Sequence, residues 1–477
     1  MRADKLPQEF LREMKALLGT EYDAYIESLA ETWRPGLRVN GLKLSSDEFR
    51  KLVPWRLSPV PWEQAGFYYD PDEVRPSRHP WYYAGLYYLQ EPSAMAPAAC
   101  LPVTPGDRVL DLCAAPGGKS TALAAKLKGE GLLVSNDISY SRARALLKNL
   151  EMAGAANICV VSESPEKLSG PWAGFFDKIL VDAPCSGEGM FRRDEEMVKD
   201  WLQRGPAYYA PIQRQILLEA VRLLRPGGRL LFSTCTFSRL EDEENVEFLL
   251  HECPEMELIP LSPAQVPGAV PGIGLPGVLR LFPHRAAGEG HFLALLGKRE
   301  DFSPTVQQER GGERDRIDPN DLREGRPARS LKSSSAGARI PEEVSAFLEQ
   351  CALPIQGGRV HISGESVYLV PDRLTPGLPF RFLRTGLLLG QVKKGRFEPS
   401  QALAMALGRG GFSSCLNLEP SDERVIRYLK GETIPLLSGE SGARGWQLVQ
   451  CRGFSLGWAK GTGASLKNKY YPGWRWQ

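Results

Sequence analysis

Near the amino terminus, Phe10, Met14, Leu17, Leu18, Tyr22, Tyr25 and Leu29 recur at helical spacing. The pattern predicts a helix over 7–29 whose apolar side packs into a core. Gly36-Leu37-Arg38-Val39-Asn40 reads as a short strand. From residue 107 onward, short apolar runs at 107–112, 132–137, 158–161, 177–182, 229–234 and 291–296 alternate with helical stretches. The helical spacing covers 120–127, 143–152, 213–224 and 243–251. Strands alternating with helices predict an α/β fold, a mostly parallel sheet covered on both faces. Ligands of such sheets sit beyond the carboxyl ends of the strands. Gly117, Gly118, Asp137, Asp182 and Cys235 all fall there.

Changes in this pattern divide the chain into a small α+β amino-terminal domain (1–90), the α/β unit (91–300), a linker (301–340) and two carboxyl-terminal units (341–415 and 416–477). The linker is charged and rich in Gly and Ser, with few large apolar residues, which predicts a solvated tether. Residues 54–89 are crowded with aromatics (Trp55, Trp62, Phe67, Tyr68, Tyr69, Trp81, Tyr82, Tyr83, Tyr87, Tyr88). They serve either as the packing of a small domain or as a stacking surface for unpaired bases. Near the end, 454–471 interleaves lysines with aromatics, which suits a half-buried β unit or a nucleic-acid face.

Composition narrows the classes further. The 477 residues are 42% apolar, enough for several cores, and the net charge of +2 does not announce a polyanion partner. No apolar run reaches membrane-spanning length, and the first residues lack the apolar core of a signal peptide. Nine cysteines occur with no C-x-x-C pair, and the five histidines lack ligand spacing. This argues against a metal site or a disulfide framework and for a reduced, cytoplasmic compartment.

The stretch 107–120 is strand, tight turn and helix, closed by Pro116-Gly117-Gly118. Adjacent glycines let backbone N–H groups approach a ligand that a Cβ would push away. About 20 residues on, the next strand ends in Asp137, the spacing used to grip ribose hydroxyls. A nucleoside-bearing cofactor is the simplest ligand. The competing motif is a phosphate-binding P-loop, which has Gly118, Lys119 and Ser120 in place but Cys113 where its first glycine belongs.

Cys185 and Cys235 each lie just past a strand end, in Asp182-Ala183-Pro184-Cys185 and Ser233-Thr234-Cys235-Thr236. A lone cysteine at a strand end is usually a small core residue. Two of them beside a nucleoside site are candidate nucleophiles, with Asp182 close enough to share one substrate.

Leu-Cys-Ala-Ala-Pro-Gly-Gly-Lys (112–119), Asp-Ala-Pro-Cys-Ser-Gly-Glu-Gly-Met-Phe-Arg (182–192) and Ser-Thr-Cys-Thr (233–236) resemble the Sun/Nop2-type RNA cytosine-5 methyltransferases. Tyr-Leu-Gln-Glu-Pro-Ser-Ala-Met (88–95) and Gly-Glu-Gly-His-Phe-Leu-Ala (288–294) match the flanks. The resemblance covers the chain apart from the linker. It implies a Rossmann-like S-adenosylmethionine-dependent methyltransferase domain and a PUA-like carboxyl-terminal unit. The expected product is 5-methylcytosine in 16S ribosomal RNA or the small ribosomal subunit. It further implies Cys235 as the nucleophile on carbon 6, Cys185 as the residue assisting release, and Asp182 on the base edge. Cys113, Ala114, Ala115, Pro116, Gly117, Gly118 and Lys119 would wrap the methionine portion of the cofactor, and Asp137 would meet its ribose. The family often meets the adenine with Asp or Asn near the end of strand three. This chain has Ser164 there, with Glu163 beside it, and Asp182 borders cofactor and base together. Transfer RNA as substrate and a noncatalytic RNA-binding assembly factor are the alternatives. No metal or membrane partner is expected, and the working form is expected to be a monomer.

Overall fold

A computed structural model describes residues 5–301, 340–353, 358–440 and 444–476. The linker expected over 301–340 lies, apart from its two end residues, outside the described residues. Five parallel strands make the centre of a ten-stranded sheet: β1 (Arg108–Asp111), β2 (Leu132–Asn136), β3 (Ile158–Val161), β4 (Phe176–Asp182) and β5 (Leu224–Thr234). Their spatial order is β3-β2-β1-β4-β5, and β6 (His291–Lys298) runs antiparallel to β5. Chain order reverses between β1 and β4, and a crevice for a ligand opens at such a switch point.

The sequence runs fold this way because their apolar positions are continuous. Leu133, Val134, Val160, Ile179, Leu180, Leu230 and Phe232 are all fully buried, as strands covered on both faces require. The covering helices include α1 (Gly118–Leu127), α2 (Tyr140–Ala153), α3 (Gly205–Leu223) and α4 (Glu243–Glu252). α3 begins well before the stretch expected from position 213, because it tolerates Pro206 in its first turn and Pro211 inside it. β5 also starts early. Opposite Asp177 the chain loops out over 225–228 before regaining register at Lys178↔Arg229.

The single helix expected over 7–29 is two, Gln8–Leu18 and Tyr22–Ala30. The break falls at Gly19, whose φ of 54° ends the first helix. Both pack onto the loops beyond β4 and β5. Phe10 meets the Phe191 ring edge-on at 5.0 Å, and Tyr25 meets Phe237 at 5.9 Å. Each buried ring of this kind contributes about 1.5–3 kcal/mol through apolar burial. The amino-terminal helices therefore buttress the loops that carry the cysteines.

Behind these helices, the antiparallel strands Gly36–Val39, Leu57–Val60, Glu63–Tyr69 and Tyr87–Leu89 form a second sheet. None of the ten aromatics of 54–89 is exposed, and Trp62, Phe67, Tyr68, Trp81 and Tyr87 are buried. They pack a core rather than form an open stacking surface. That core continues into the last, five-stranded unit, so Leu37, Phe49 and Tyr87 share one apolar cluster with Leu416, Tyr428 and Trp474. Within the 454–471 stretch Phe454 and Trp458 are buried, while Lys460, Lys467, Lys469 and Tyr471 are exposed. A short strand from the first carboxyl-terminal unit, β7 (Phe382–Thr385), pairs antiparallel with β3 and closes that edge of the central sheet.

Candidate active site

Strand β1 hands over to α1 through Cys113–Gly117, where the Ala115–Pro116 peptide is cis and Gly117 adopts φ 112°. That φ favours glycine, because a Cβ in the left-handed region meets the following carbonyl. Neighbouring strand ends hold the loop. Ala114 N–H donates to the Asn136 carbonyl (2.7 Å), and Ala115 N–H donates to Asp137 Oδ2 (3.3 Å). Asn149 Nδ2 donates to the Pro116 carbonyl (2.8 Å). From α2, Arg142 lies over both neighbours, 3.5 Å from the Asp137 carboxylate and 3.1 Å from the Ala115 carbonyl. Beside Asp137, Ile138 leaves 61% of its surface open.

Beneath the loop Asp111 is fully buried and accepts from Ser120 Oγ at 2.6 Å, while its Oδ1 has no partner. Burial pushes its carboxyl up to about 7. Asn136, which the motifs did not single out, ties three strand ends together. Its Nδ2 donates to the Leu112 and Glu163 carbonyls, and its Oδ1 accepts from Glu163 N–H, each at 3.0 Å. Ser164 follows this clasp, half-buried, at the start of Pro165–Ser169.

Asp182 ends β4 among three donor groups. Lys119 Nζ donates to Oδ2 (2.6 Å), Ser233 Oγ donates to Oδ1 (2.8 Å), and His291 Nε2 faces Oδ1 at 3.4 Å. Burial alone would raise this carboxyl, but the Lys119 ammonium and His291 outweigh it and hold it well below the usual range. Burial likewise opposes charge on Lys119, and Asp182 more than restores it. In a P-loop, Lys119 would reach phosphates; here it is committed to the carboxylate.

The two cysteines meet. Cys185 Sγ and Cys235 Sγ are 3.4 Å apart, the first buried and the second half-exposed. The hydrogen bond to Cys235 and then burial push the Cys185 thiol well up, so Cys185 is the partner that keeps its proton. Cys113, half-buried beside Asp111, is also pushed up, chiefly by desolvation. It is set as a loop residue rather than a nucleophile.

Buried carboxylates far along the chain hold the cysteine loops. Glu241 accepts from Ser186 N–H (3.0 Å), Ser186 Oγ and Gln213 Nε2 (2.8 Å). Glu188 accepts from Trp201 Nε1 (2.9 Å) and Phe237 N–H (2.8 Å). The segment before β6 is clasped by Glu91, which accepts from Glu289 N–H at 2.9 Å, and by an Arg192–Glu289 fork of 2.9 and 3.0 Å. Glu-Pro-Ser and Gly-Glu-Gly-His stood out only as flanking matches, and no local pattern pairs them. Among the described residues, no group of three or more His, Cys, Asp or Glu is arranged to hold a metal, and no helix is long and apolar enough to cross a membrane.

The chain matches known proteins over nearly its whole length. The family model for 16S rRNA methyltransferase RsmB/F matches residues 98–297. Models for the amino-terminal, first carboxyl-terminal and PUA domains of RsmF match 6–92, 346–407 and 415–476. Ribosomal RNA small subunit methyltransferase F of Klebsiella pneumoniae (strain 342) is 31% identical, over 97% of this chain and 95% of its own. That of Vibrio parahaemolyticus is also 31% identical, over 97% and 96%. Among solved structures, a methyltransferase homolog from Pyrococcus horikoshii aligns at a TM-score of 0.53 with 28% identity, over 62% of this chain and all of that one. NSun6 from the same organism, with SFG, aligns at 0.52 with 25% identity, over 62% and 99%.

Proposed function

The chain belongs to the 16S rRNA methyltransferase RsmF family, and on that footing we propose that it makes 5-methylcytosine in 16S ribosomal RNA from S-adenosylmethionine. The observation that carries this is the thiol pair at 3.4 Å beside the Asp182–Lys119 pair. When bound, S-adenosylmethionine supplies an electrophilic methyl group. The residues present fit it. The Asp137 carboxylate suits a ribose diol, open Ile138 offers an apolar face for adenine, and 113–119 form the loop beside them. Ser164 lies at the next strand end, and the orphan Asp111 oxygen beneath the loop is a free acceptor.

Carbon 5 of cytosine is a weak nucleophile while its electrons belong to the aromatic ring. Addition of the Cys235 thiolate to carbon 6 breaks that aromaticity and makes carbon 5 enamine-like. Cys185, still protonated, donates to the Cys235 sulfur and steadies the thiolate before attack. Asp182, ionised, accepts from the exocyclic amino group of the base and fixes its edge. Solvent water takes the carbon-5 proton, the electrons of that bond re-form the carbon 5–carbon 6 double bond, and the sulfur–carbon bond breaks to release the product and return Cys235 as a thiolate. In that step Cys185 again donates to the departing Cys235 sulfur.

A base inside a helix hides carbon 6, so the target is unpaired or flipped out. The rest of the RNA is assigned to a groove of about 700 Å³ between α2, the 384–402 stretch and the tail. Arg144, Lys148, Lys469 and the exposed Tyr471 line it, and none of these cations forms an ion pair among the described residues. Cations with an open aromatic face suit a single strand. The enzyme is read as a cytoplasmic monomer whose large partner is RNA.

The test is incubation of wild type, Cys185→Ala and Cys235→Ala with ribosomal RNA and S-adenosylmethionine, resolved on a denaturing gel. Methylated cytosine is expected only from wild type, with a persistent protein–RNA adduct from Cys185→Ala and none from Cys235→Ala. The opposite trapping pattern would exchange the roles of the two cysteines.

A further inference from the structure

His291 is 3% exposed and sits at the start of β6, against the carboxylate that faces the target base. Its Nε2 lies 3.4 Å from Asp182 Oδ1 and has no hydrogen-bond partner, while Nδ1 faces the Gly290 carbonyl at 3.2 Å. A buried ring nitrogen left without a partner is unfavourable, so something must hold the ring there.

Five separate contacts do so. β6 pairs with β5 from Phe292↔Thr234 onward, and His291 pairs with Leu281 on the other side. Just upstream, Glu91 takes Glu289 N–H, Ser93 Oγ bonds Gly290 at 3.2 Å, and Arg192 forks onto the Glu289 carboxylate. Gly290 itself has φ 116°, and a Cβ there would lie 2.5 Å from the Phe237 ring. None of these scaffold groups belongs to the glycine loop or to the cysteine pair. Their joint effect is to aim one imidazole at one carboxylate oxygen.

Asp182 is thereby met from three motifs: Lys119 after the glycine loop, Ser233 before Cys235, and His291. The first two are full hydrogen bonds; the third stands about half an ångström long. Contacts in a ligand-free site are often long and tighten when substrate arrives. We propose that His291 is a positioning residue, whose Nε2–H, in the tautomer that leaves Nδ1 without a proton toward the Gly290 carbonyl, closes onto Asp182 Oδ1 when the base docks and holds the carboxylate in plane with the base edge. The ring does not touch the reacting atoms; it acts through Asp182. This inference rests on the catalytic reading of Asp182 given above.

The test compares full-length wild type, His291→Phe and His291→Gln in methyl transfer to ribosomal RNA. Phe keeps the ring volume without a donor, whereas Gln restores an N–H near the Nε2 position. Loss of one hydrogen bond to a charged group predicts a fall in kcat of about 10- to 100-fold for His291→Phe. KM for RNA and Kd for S-adenosylmethionine stay within about twofold, and His291→Gln recovers most of the loss. Circular dichroism and Tm report folding. If His291→Phe does not fold, His291→Leu takes its place, since Leu also fills the buried site without a donor, and the same fall in kcat beside a recovering His291→Gln is expected. Unchanged kcat in His291→Phe overturns the inference, as does a loss matched by weakened cofactor binding or a folded Gln variant no better than Phe. A wild type that methylates no cytosine overturns the site reading and this inference together. A wild type that does so, alongside an unaffected His291→Phe, overturns this inference alone.

Discussion

Cys185 Sγ and Cys235 Sγ stand 3.4 Å apart although 50 positions separate them in the chain. The register of β4 and β5 brings this about: Asp182 lies opposite Ser233, and each cysteine follows shortly beyond. Parallel neighbours end on the same edge, so two short motifs become one site.

Reactivity of the pair should be unequal. Cys185 is buried with its thiol pushed up, while Cys235 is half-exposed. Limiting iodoacetamide should therefore alkylate Cys235 at least about 10-fold faster than Cys185. Peptide mass spectrometry reads both rates, with exposed Cys415 as the internal reference. Faster labelling of Cys185 would contradict the assignment of nucleophile.

Gly117→Ala tests the loop. At φ 112° a side chain is strained, and its Cβ would press on Leu146 Cδ1 at 3.1 Å. The expected cost is about 1–2 kcal/mol of stability. S-adenosylmethionine should bind roughly 10-fold more weakly, with RNA affinity unchanged, a shift of about 1.4 kcal/mol. Titration calorimetry measures both, and an unaltered cofactor affinity would detach the loop from the cofactor.

The helices and strands around this site were largely legible because periodicity is local. Residues 132–134 and 179–181 announce buried strands by short apolar runs, and the motifs at 112–119, 182–192 and 233–236 lie at strand ends. Glu241 and His291 were not legible as site residues, since their partners Ser186 and Asp182 lie far away in the chain. The pairing of β7 with β3 was hidden for another reason. Phe-Leu-Arg-Thr is too short to show a period, and only the open edge of β3 makes it a strand. The start of α3 was hidden by Pro206 and Pro211, residues that usually stop helices.

Glu241 gives the loop of Cys185 a pH dependence. Burial raises its carboxyl to about 7 in the fold, against an ordinary value near 4.3. The protonated group thus favours the fold fully below about pH 4, and that contribution is lost as pH rises through 7. Glu241→Gln lacks the ionisation. The stability of wild type relative to this variant should fall by roughly 1–3 kcal/mol between about pH 5 and pH 8. Urea midpoints across that range measure it; a difference that is flat or grows with pH would refute the account.

Charge in the groove should be felt by RNA alone. Replacing Arg144, Lys148 and Lys469 together by Gln should lower RNA affinity and reduce the slope of log affinity against log salt by about 2. Binding of S-adenosylmethionine should not change. Filter binding at several salt concentrations reports the slope, and an unaltered slope would place the RNA elsewhere.

Two attachments fix the described carboxyl-terminal units: β7 hydrogen-bonded to β3, and the shared core that joins Leu416 and Trp474 to Leu37 and Phe49. A part held at two points cannot swing on a hinge, so the tail and the cysteines keep a constant separation. On the proposed reading such a frame would measure its substrate: a strand gripped at Lys469 would present to Cys235 only a base at one matching distance along its path, and the choice of target base would become a matter of length as much as of sequence. Cutting the chain before β7 would also bare the hydrogen-bonding edge of β3, inviting the sheet to pair with another molecule.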